Sequence, residues 1–168
     1  MKRVLFFSLF AMFLCCTVFS QEVKDKAFDT LIDSLLSHSV DEIGVGELHS
    51  NLSTYTLLDA REKREYNVSH LPKSTWVGYT NFSAQRVKHL DRNTPIVVYC
   101  SIGVRSEHIA TEMTNLGFKE VYNLYGGIFE WSNQSFPLEN KHQETTQKVH
   151  AYDKTWGVWL DGENKVYD

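Results

Sequence analysis

Cys100 lies where a chemically active side chain is expected. It follows the apolar run of residues 95–99, which predicts a buried strand, and a helical pattern begins near Val104. A strand, a tight loop and a helix N-terminus direct backbone N–H groups and the positive end of the helix dipole towards one point. Gly103 allows backbone conformations that other residues avoid, and Arg105 adds a permanent cation. The segment therefore predicts a cradle for an anion, with Cys100 as the nucleophile.

A cysteine at the end of a buried strand more often serves as a small apolar side chain. The glycine and the arginine that follow Cys100 favour the catalytic interpretation, because both suit a loop that holds negative charge. The thiolate is the nucleophilic form of cysteine, and donors at a helix N-terminus stabilise it. The predicted anion-binding loop consists of Ser101, Ile102, Gly103, Val104, Arg105 and Ser106.

Strand-like and helix-like segments alternate along the chain, which predicts an α/β fold with a mostly parallel sheet. Strands are predicted at residues 42–45, 55–59, 75–79, 95–99 and 120–124, and helices at residues 23–37, 82–90 and 104–116. Parallel strands are usually buried on both faces, so helices should cover the sheet on both sides. Core packing is the expected role of four aromatic residues, Tyr125, Trp131, Trp156 and Trp159.

The size and composition of the chain are those of one globular domain. Its 168 residues are 42% hydrophobic and 23% charged, unlike a disordered chain. The formal net charge of −4 disfavours nucleic acid as a partner.

The N-terminus has the pattern of a secretory signal peptide. Lys2 and Arg3 precede an uncharged apolar run at residues 4–14, and cleavage is expected near Ser20 and Gln21. The run is too short for a hydrocarbon layer of about 30 Å, which disfavours a permanent membrane span. The sequence thus predicts a secreted or periplasmic protein. A lipoprotein anchored through Cys15 or Cys16 is a weaker alternative, because bulky residues precede both cysteines.

Four divisions of the chain follow from these patterns. They are a signal peptide at residues 1–20, an N-terminal helical segment at 21–40, a domain with the Cys100 loop at 41–138, and a polar linker with a docking tail at 139–168. Removal of the signal peptide leaves Cys100 as the only cysteine, so the mature chain cannot form an internal disulfide.

Four separated blocks of the chain match one family pattern, at residues 57–62 with Glu65 and Tyr66, and at residues 70–72, 100–106 and 123–131. Through these blocks the domain at residues 41–138 resembles the rhodanese family of single-domain sulfurtransferases. The resemblance implies a rhodanese-like sheet of about five strands flanked by helices. It also implies that Cys100 carries a sulfane sulfur as a persulfide, taken from an anionic donor such as thiosulfate and passed to cyanide or a thiol. No cofactor or metal is needed for that chemistry.

Three further residues are predicted to support the site. Asp59 and Arg61 are expected to form a structural ion pair near the end of a strand, and His70 is expected to be a structural residue of a turn before a proline. No group of Cys and His residues has the spacing of metal ligands.

Two other functions remain open from the residues. A non-catalytic binding module could keep the loop and dock a partner. An arsenate reductase or phosphatase is a weaker alternative, because those enzymes close the loop with arginine one position later, where this chain has Ser106. The expected partners are a small anionic donor and a thiophilic acceptor, with a redox or sulfur-relay protein as a further candidate, and the expected state is a monomer.

Overall fold

The computed structural model describes residues 23–168. The predicted signal peptide, with Cys15 and Cys16, lies outside the described residues. Among residues 23–168, no helix is both long enough and apolar enough to cross a bilayer.

A five-stranded parallel sheet forms the centre of the molecule, which confirms the predicted α/β class. Its strands are β1 (Asp41–Ile43), β2 (Thr56–Asp59), β3 (Thr75–Trp76), β4 (Ile96–Tyr99) and β5 (Val121–Leu124). They pair in the order β1-β5-β4-β2-β3, and each neighbouring pair is parallel. The middle strand β4 therefore ends in the crevice at the carboxyl edge of the sheet, where α/β folds bind ligands.

Six helices flank the sheet. They are α1 (Lys26–Leu35), α2 (Val45–Ser50), α3 (Lys63–Val68), α4 (Ala84–Val87), α5 (Val104–Asn115) and α6 (Gly127–Asn133). Short 3₁₀ turns occur at Leu52–Thr54 and Gly157–Trp159.

Two predicted elements are shorter in the structure than in the sequence pattern. The strand expected at residues 75–79 pairs only at Thr75–Trp76, and the helix expected at residues 82–90 is reduced to α4. In α4 only Val87 is fully buried. A helix gains most of its stability from burying an apolar face, so this segment has little to extend it.

The side chains of β4 divide the core into two layers. Val97 and Tyr99 pack into the layer that contains α1, α2 and α6, while Ile96 and Val98 pack into the layer that contains α4 and α5. All four are completely buried, as expected for the middle strand of a parallel sheet. This packing holds the end of β4 between two helical layers.

Helix α1 is amphipathic and lies against the first of these layers. Phe28 and Ile32 are buried, and the Asp25 carboxylate accepts hydrogen bonds from the backbone N–H groups of Ala27 and Phe28. Such an N-cap satisfies donors that the helix itself cannot bond, and so it fixes where the helix begins.

The C-terminal tail contains more regular structure than the sequence indicates. The polar stretch expected to be a linker forms an antiparallel hairpin of β6 (Leu138–Glu139) and β7 (Thr145–Thr146). Strands β8 (Val149–His150) and β9 (Lys165–Val166) then pair in parallel. The Trp159 ring stacks on Phe28 of α1 at a centroid distance of 5.5 Å, so the tail lies on the body of the domain.

Candidate active site

Cys100 is the first residue after β4 and begins a loop that ends where α5 starts. Its Sγ accepts a hydrogen bond from the backbone N–H of Gly103 at 3.2 Å. Gly103 has φ of +125°, a conformation that L side chains rarely adopt, which explains the need for glycine. The first intrahelical bond of α5 is donated by the Glu107 N–H to the Gly103 carbonyl. The N–H groups before Glu107 therefore belong to the unsatisfied first turn, at the positive end of the helix.

Helix α6 fixes the backbone of the cysteine loop from the other side. The N–H of Ile128 donates to the Cys100 carbonyl at 2.9 Å, and the N–H of Phe129 donates to the Ser101 carbonyl at 3.0 Å. Two peptide units of the loop are thus held by the first turn of a neighbouring helix. Gly127 makes this approach possible, because a Cβ at this position would lie 2.5 Å from the Cys100 carbonyl oxygen.

Arg105 is held by a buried carboxylate. Its Nη1 and Nη2 donate to the two oxygens of Glu65 at 2.7 and 2.8 Å, and Nη2 also donates to Ser101 Oγ at 2.9 Å. The Glu65 side chain is fully buried, and Arg105 is 18% exposed. A bidentate pair of this kind fixes the geometry of both side chains. Its charges largely neutralise each other beside the loop.

A buried hydrogen-bond cluster supports the start of α5. Ser106 Oγ lies 3.0 Å from the Gly103 carbonyl and 2.6 Å from Asn123 Oδ1 on β5. Both side chains are completely buried. The cluster ties the glycine turn to the sheet, so Ser106 supports the loop from beneath.

The cysteine loop opens into a pocket of about 220 Å³. Its lining residues are Leu35, Cys100, Ser101, Ile102, Val104, Arg105, Tyr152 and Trp156. Only 1% of the Cys100 surface is exposed, so the sulfur atom lies at the floor of the pocket and not on the outer surface. A ligand would therefore reach the sulfur atom through this pocket.

The family model for the rhodanese-like domain matches residues 45–134, which is more than half of the chain. The chain belongs to the rhodanese-like family. Its sheet also matches the crystal structure of a rhodanese-related protein from Thermoplasma volcanium, with a TM-score of 0.54 and 27% identity over 59% of this chain and 97% of that one.

Sequence relatives of this rhodanese-like chain carry different names. Thiosulfate sulfurtransferase GlpE of Coxiella burnetii is 31% identical over 75 residues, covering 45% of this chain and 69% of that protein. The tRNA uridine(34) hydroxylase of Aster yellows witches'-broom phytoplasma is 32% identical over 117 residues, covering 67% of this chain and 32% of that protein. The chain therefore spans about a third of the length of this larger relative.

None of the three predicted support residues lines the cysteine pocket of this rhodanese-like domain. Asp59 and Arg61 form the expected ion pair, with Nη2 and Oδ2 separated by 2.7 Å and both side chains completely buried. Arg61 also donates to the Ser69 carbonyl at 2.6 Å, which ties the end of β2 to the following loop. His70 stacks on Tyr66 at 3.9 Å and lines a different cavity, so it does not reach the cysteine pocket.

Residues outside the predicted site complete the rhodanese-like pocket. Glu65 is one of them, and its spacing from Glu62 was a usable signal, since the two form a capping box at the start of α3. The pocket is also lined by Leu35, Tyr152 and Trp156. Of these, Trp156 was expected to pack in the core. No local pattern marks these three residues, because α1 and the tail reach the pocket only through tertiary packing. Among residues 23–168, no group of three or more potential ligands could hold a metal ion.

The buried Glu65 carboxylate is expected to make the domain less stable at acidic pH. Burial raises its pKa, but the hydrogen bonds and charge of Arg105, with the charge of Arg61, outweigh burial and lower the pKa from 4.5 to about 2. A carboxyl with a lowered pKa stabilises the fold above its unfolded pKa, and this contribution is lost as the pH falls towards the folded pKa. We expect a loss of about 3 kcal/mol between pH 4.5 and 2.

Urea unfolding of the wild type and of Glu65→Gln at several pH values measures this effect. The free-energy difference between the two proteins should shrink as the pH falls below 4.5. Glu112→Gln removes an exposed carboxylate from α5 and is the matched control. A difference that stays constant from pH 5 down to pH 2 would show that the Glu65–Arg105 pair does not stabilise the fold.

Proposed function

We propose that the chain is a sulfurtransferase in which Cys100 carries a sulfane sulfur as a persulfide. The observation that carries this proposal is the position of Sγ, which lies at the floor of a pocket and accepts the Gly103 N–H. The fixed backbone of the loop offers donors to a negative charge on sulfur without rearrangement. The relatives named for sulfur transfer support the same chemistry.

In the first half-reaction, the Cys100 thiolate attacks the outer sulfur of an anionic donor such as thiosulfate. A new S–S bond forms, the bond between the two donor sulfurs breaks, and sulfite leaves with the electron pair. The negative charge now lies on the outer sulfur of the persulfide. This atom lies one bond beyond Sγ, and we expect the unsatisfied N–H groups at the start of α5 to stabilise its charge.

In the second half-reaction, a thiophilic acceptor attacks the outer sulfur of the persulfide. Cyanide gives thiocyanate, and a thiolate gives a new persulfide. The S–S bond to Cys100 breaks, and its electron pair returns to Sγ as thiolate. Arg105 is bound to Glu65 and Ser101, so its role is to position the loop and not to bind the departing group.

Intact-mass measurement after incubation with thiosulfate tests the proposal. The purified protein should gain the mass of one sulfur atom, and addition of cyanide should remove that mass and release one equivalent of thiocyanate. After alkylation and digestion with trypsin, the added sulfur should map to residues 93–105, which contain Cys100.

A protein incubated with sulfite in place of thiosulfate is the control, because sulfite has no sulfane sulfur. A folded protein that gains no sulfur from thiosulfate or from any organic donor would contradict the proposal and would favour a binding module. A sulfur atom that maps to a different peptide would contradict the role of Cys100.

We also propose that the protein is exported with cleavage near Ser20. The charged start and the apolar run of residues 4–14 support this proposal. N-terminal sequencing of the protein isolated from its source should begin near Gln21. A mature protein that retains Met1 or Lys2 would contradict export by this signal.

A further inference from the structure

Three of the eight residues that line the cysteine pocket lie outside the matched family domain. Leu35 is the last residue of α1, and Tyr152 and Trp156 belong to the C-terminal tail, whereas the family model covers residues 45–134. All three side chains are apolar or aromatic. The two segments outside the matched domain therefore contribute the three large apolar or aromatic side chains of the pocket wall.

The pocket offers apolar surface and little free positive charge. Ile102 and Val104 add to the wall that Leu35, Tyr152 and Trp156 form. Arg105 is the one cationic side chain among the lining residues, and Glu65 neutralises it through two hydrogen bonds. A small, strongly hydrated dianion gains little from such a wall, because losing its water costs free energy that apolar groups do not return. The binding of an apolar body becomes more favourable in proportion to the apolar area that it buries.

The tail that carries two of the wall residues is fixed to the domain. The Tyr152 ring faces the Arg105 guanidinium at 5.2 Å, and the Tyr152 N–H donates to the Nδ1 atom of buried His150 at 3.1 Å. His150 Nε2 lies 3.1 Å from the Asp168 carboxylate. The Trp156 N–H donates to the Asp153 carboxylate at 3.0 Å. The wall is thus held in place by the fold, as a specificity pocket requires.

Leu35 and Tyr152 are exposed large apolar side chains that face this pocket. They are 40% and 41% exposed and line the same pocket, and contiguous exposed apolar surface is typical of ligand-binding grooves. A ligand body between them would remove both from water while its sulfur reaches Cys100. The volume of about 220 Å³ suits a body of the size of one aromatic ring.

We propose that Leu35, Tyr152 and Trp156 select organic sulfane-sulfur donors, with an apolar or aromatic body, over inorganic thiosulfate. This inference rests on the proposed sulfurtransferase activity and assigns its donor class. With an aryl thiosulfonate, the Cys100 thiolate attacks the terminal sulfur, the S–S bond breaks, and arylsulfinate leaves with the electron pair. The persulfide left on Cys100 is the same as that formed from thiosulfate.

Benzenethiosulfonate and methanethiosulfonate test the wall directly, because both are monoanions that release a sulfinate and they differ in the apolar body. For the wild type, we expect kcat/KM with benzenethiosulfonate to be at least about 10-fold higher than with methanethiosulfonate. Trp156→Ala and Leu35→Ala should each reduce this ratio several-fold, because each removes part of the wall. Val158→Ala changes a tail residue that is 66% exposed and outside the pocket, and it should leave the ratio unchanged.

Leu35→Lys keeps the test decisive if the change at Trp156 loosens the tail. It places a cation at the exposed end of α1, so it should raise kcat/KM for thiosulfate and lower it for benzenethiosulfonate. Equal loading from both thiosulfonates, with no change in the Leu35 and Trp156 variants, would overturn the inference while leaving the sulfurtransferase activity intact. A protein that loads sulfur from none of the three donors would overturn both.

Discussion

Replacement of Cys100 by serine is expected to abolish sulfur loading and thiocyanate formation. A serine hydroxyl is not ionised near neutral pH and cannot form the persulfide on which the proposed reaction depends. We expect kcat/KM with thiosulfate to fall at least ~10³-fold, to the background rate of the buffer. Intact mass after incubation with thiosulfate and the colorimetric thiocyanate assay measure the two half-reactions separately.

The fold should survive this substitution. Serine is slightly smaller than cysteine, and its hydroxyl can accept the Gly103 N–H that Sγ accepts in the wild type. A thermal unfolding curve close to that of the wild type therefore distinguishes a lost nucleophile from a lost structure. Sulfur loading that persists in Cys100→Ser would refute the mechanism, because Cys100 is the only cysteine of residues 23–168.

Gly127→Ala is expected to damage both the stability of the domain and the placement of the cysteine loop. The added Cβ would lie 2.5 Å from the Cys100 carbonyl oxygen and 2.6 Å from the carbonyl carbon of Ser101, and Gly127 has φ of +56°. These neighbours are backbone atoms and cannot rotate away. Relief of the contact has to move α6 away from the loop, which breaks the hydrogen bonds from Ile128 and Phe129.

We expect Gly127→Ala to lower the free energy of unfolding by about 2–4 kcal/mol. The rate of sulfur loading should fall by ~10²-fold, because displacement of a catalytic group by about 1 Å has effects of that size. Urea unfolding and single-turnover loading from thiosulfate measure the two losses.

Gly46→Ala is the matched control for this prediction. Gly46 lies in α2, and an added Cβ would meet no atom within 4 Å beyond its chain neighbours and the nearby backbone of its own helix, so alanine should be neutral or stabilise the protein by up to about 1 kcal/mol. A folded Gly127→Ala protein that loads sulfur at the wild-type rate would show that the loop does not depend on its contact with α6.

The cysteine loop could be predicted from the sequence because its parts are neighbours along the chain. The strand at residues 95–99, Cys100, Gly103 and the start of α5 lie in one continuous segment, and local patterns report such segments well. The alternation of strands and helices likewise predicted a parallel sheet, since parallel strands need crossover helices. The ion pair of Asp59 and Arg61 was also local, because only one residue separates the two.

The sequence alone did not show the partner of Arg105. It suggested a free cation for the donor anion, whereas the structure binds the guanidinium to Glu65, 40 positions away. The sequence shows which charged side chains are available for ion pairs. The packing of α3 against the loop determines which of them come into contact. The lengths of β3 and α4 were misjudged for a related reason, since burial in the tertiary structure decides how far a weak pattern extends.

The sequence by itself predicted the proposed nucleophile, the turn that holds it and the class of the sheet, because each depends on residues close together in the chain. Only the tertiary structure decided what surrounds the sulfur atom. The carbonyls of the loop are held by α6, and the pocket is walled by Leu35 from α1 and by Tyr152 and Trp156 from the tail. These contacts join distant segments of the chain, and they form only when the hydrophobic layers of the core bring those segments to the same edge of the sheet.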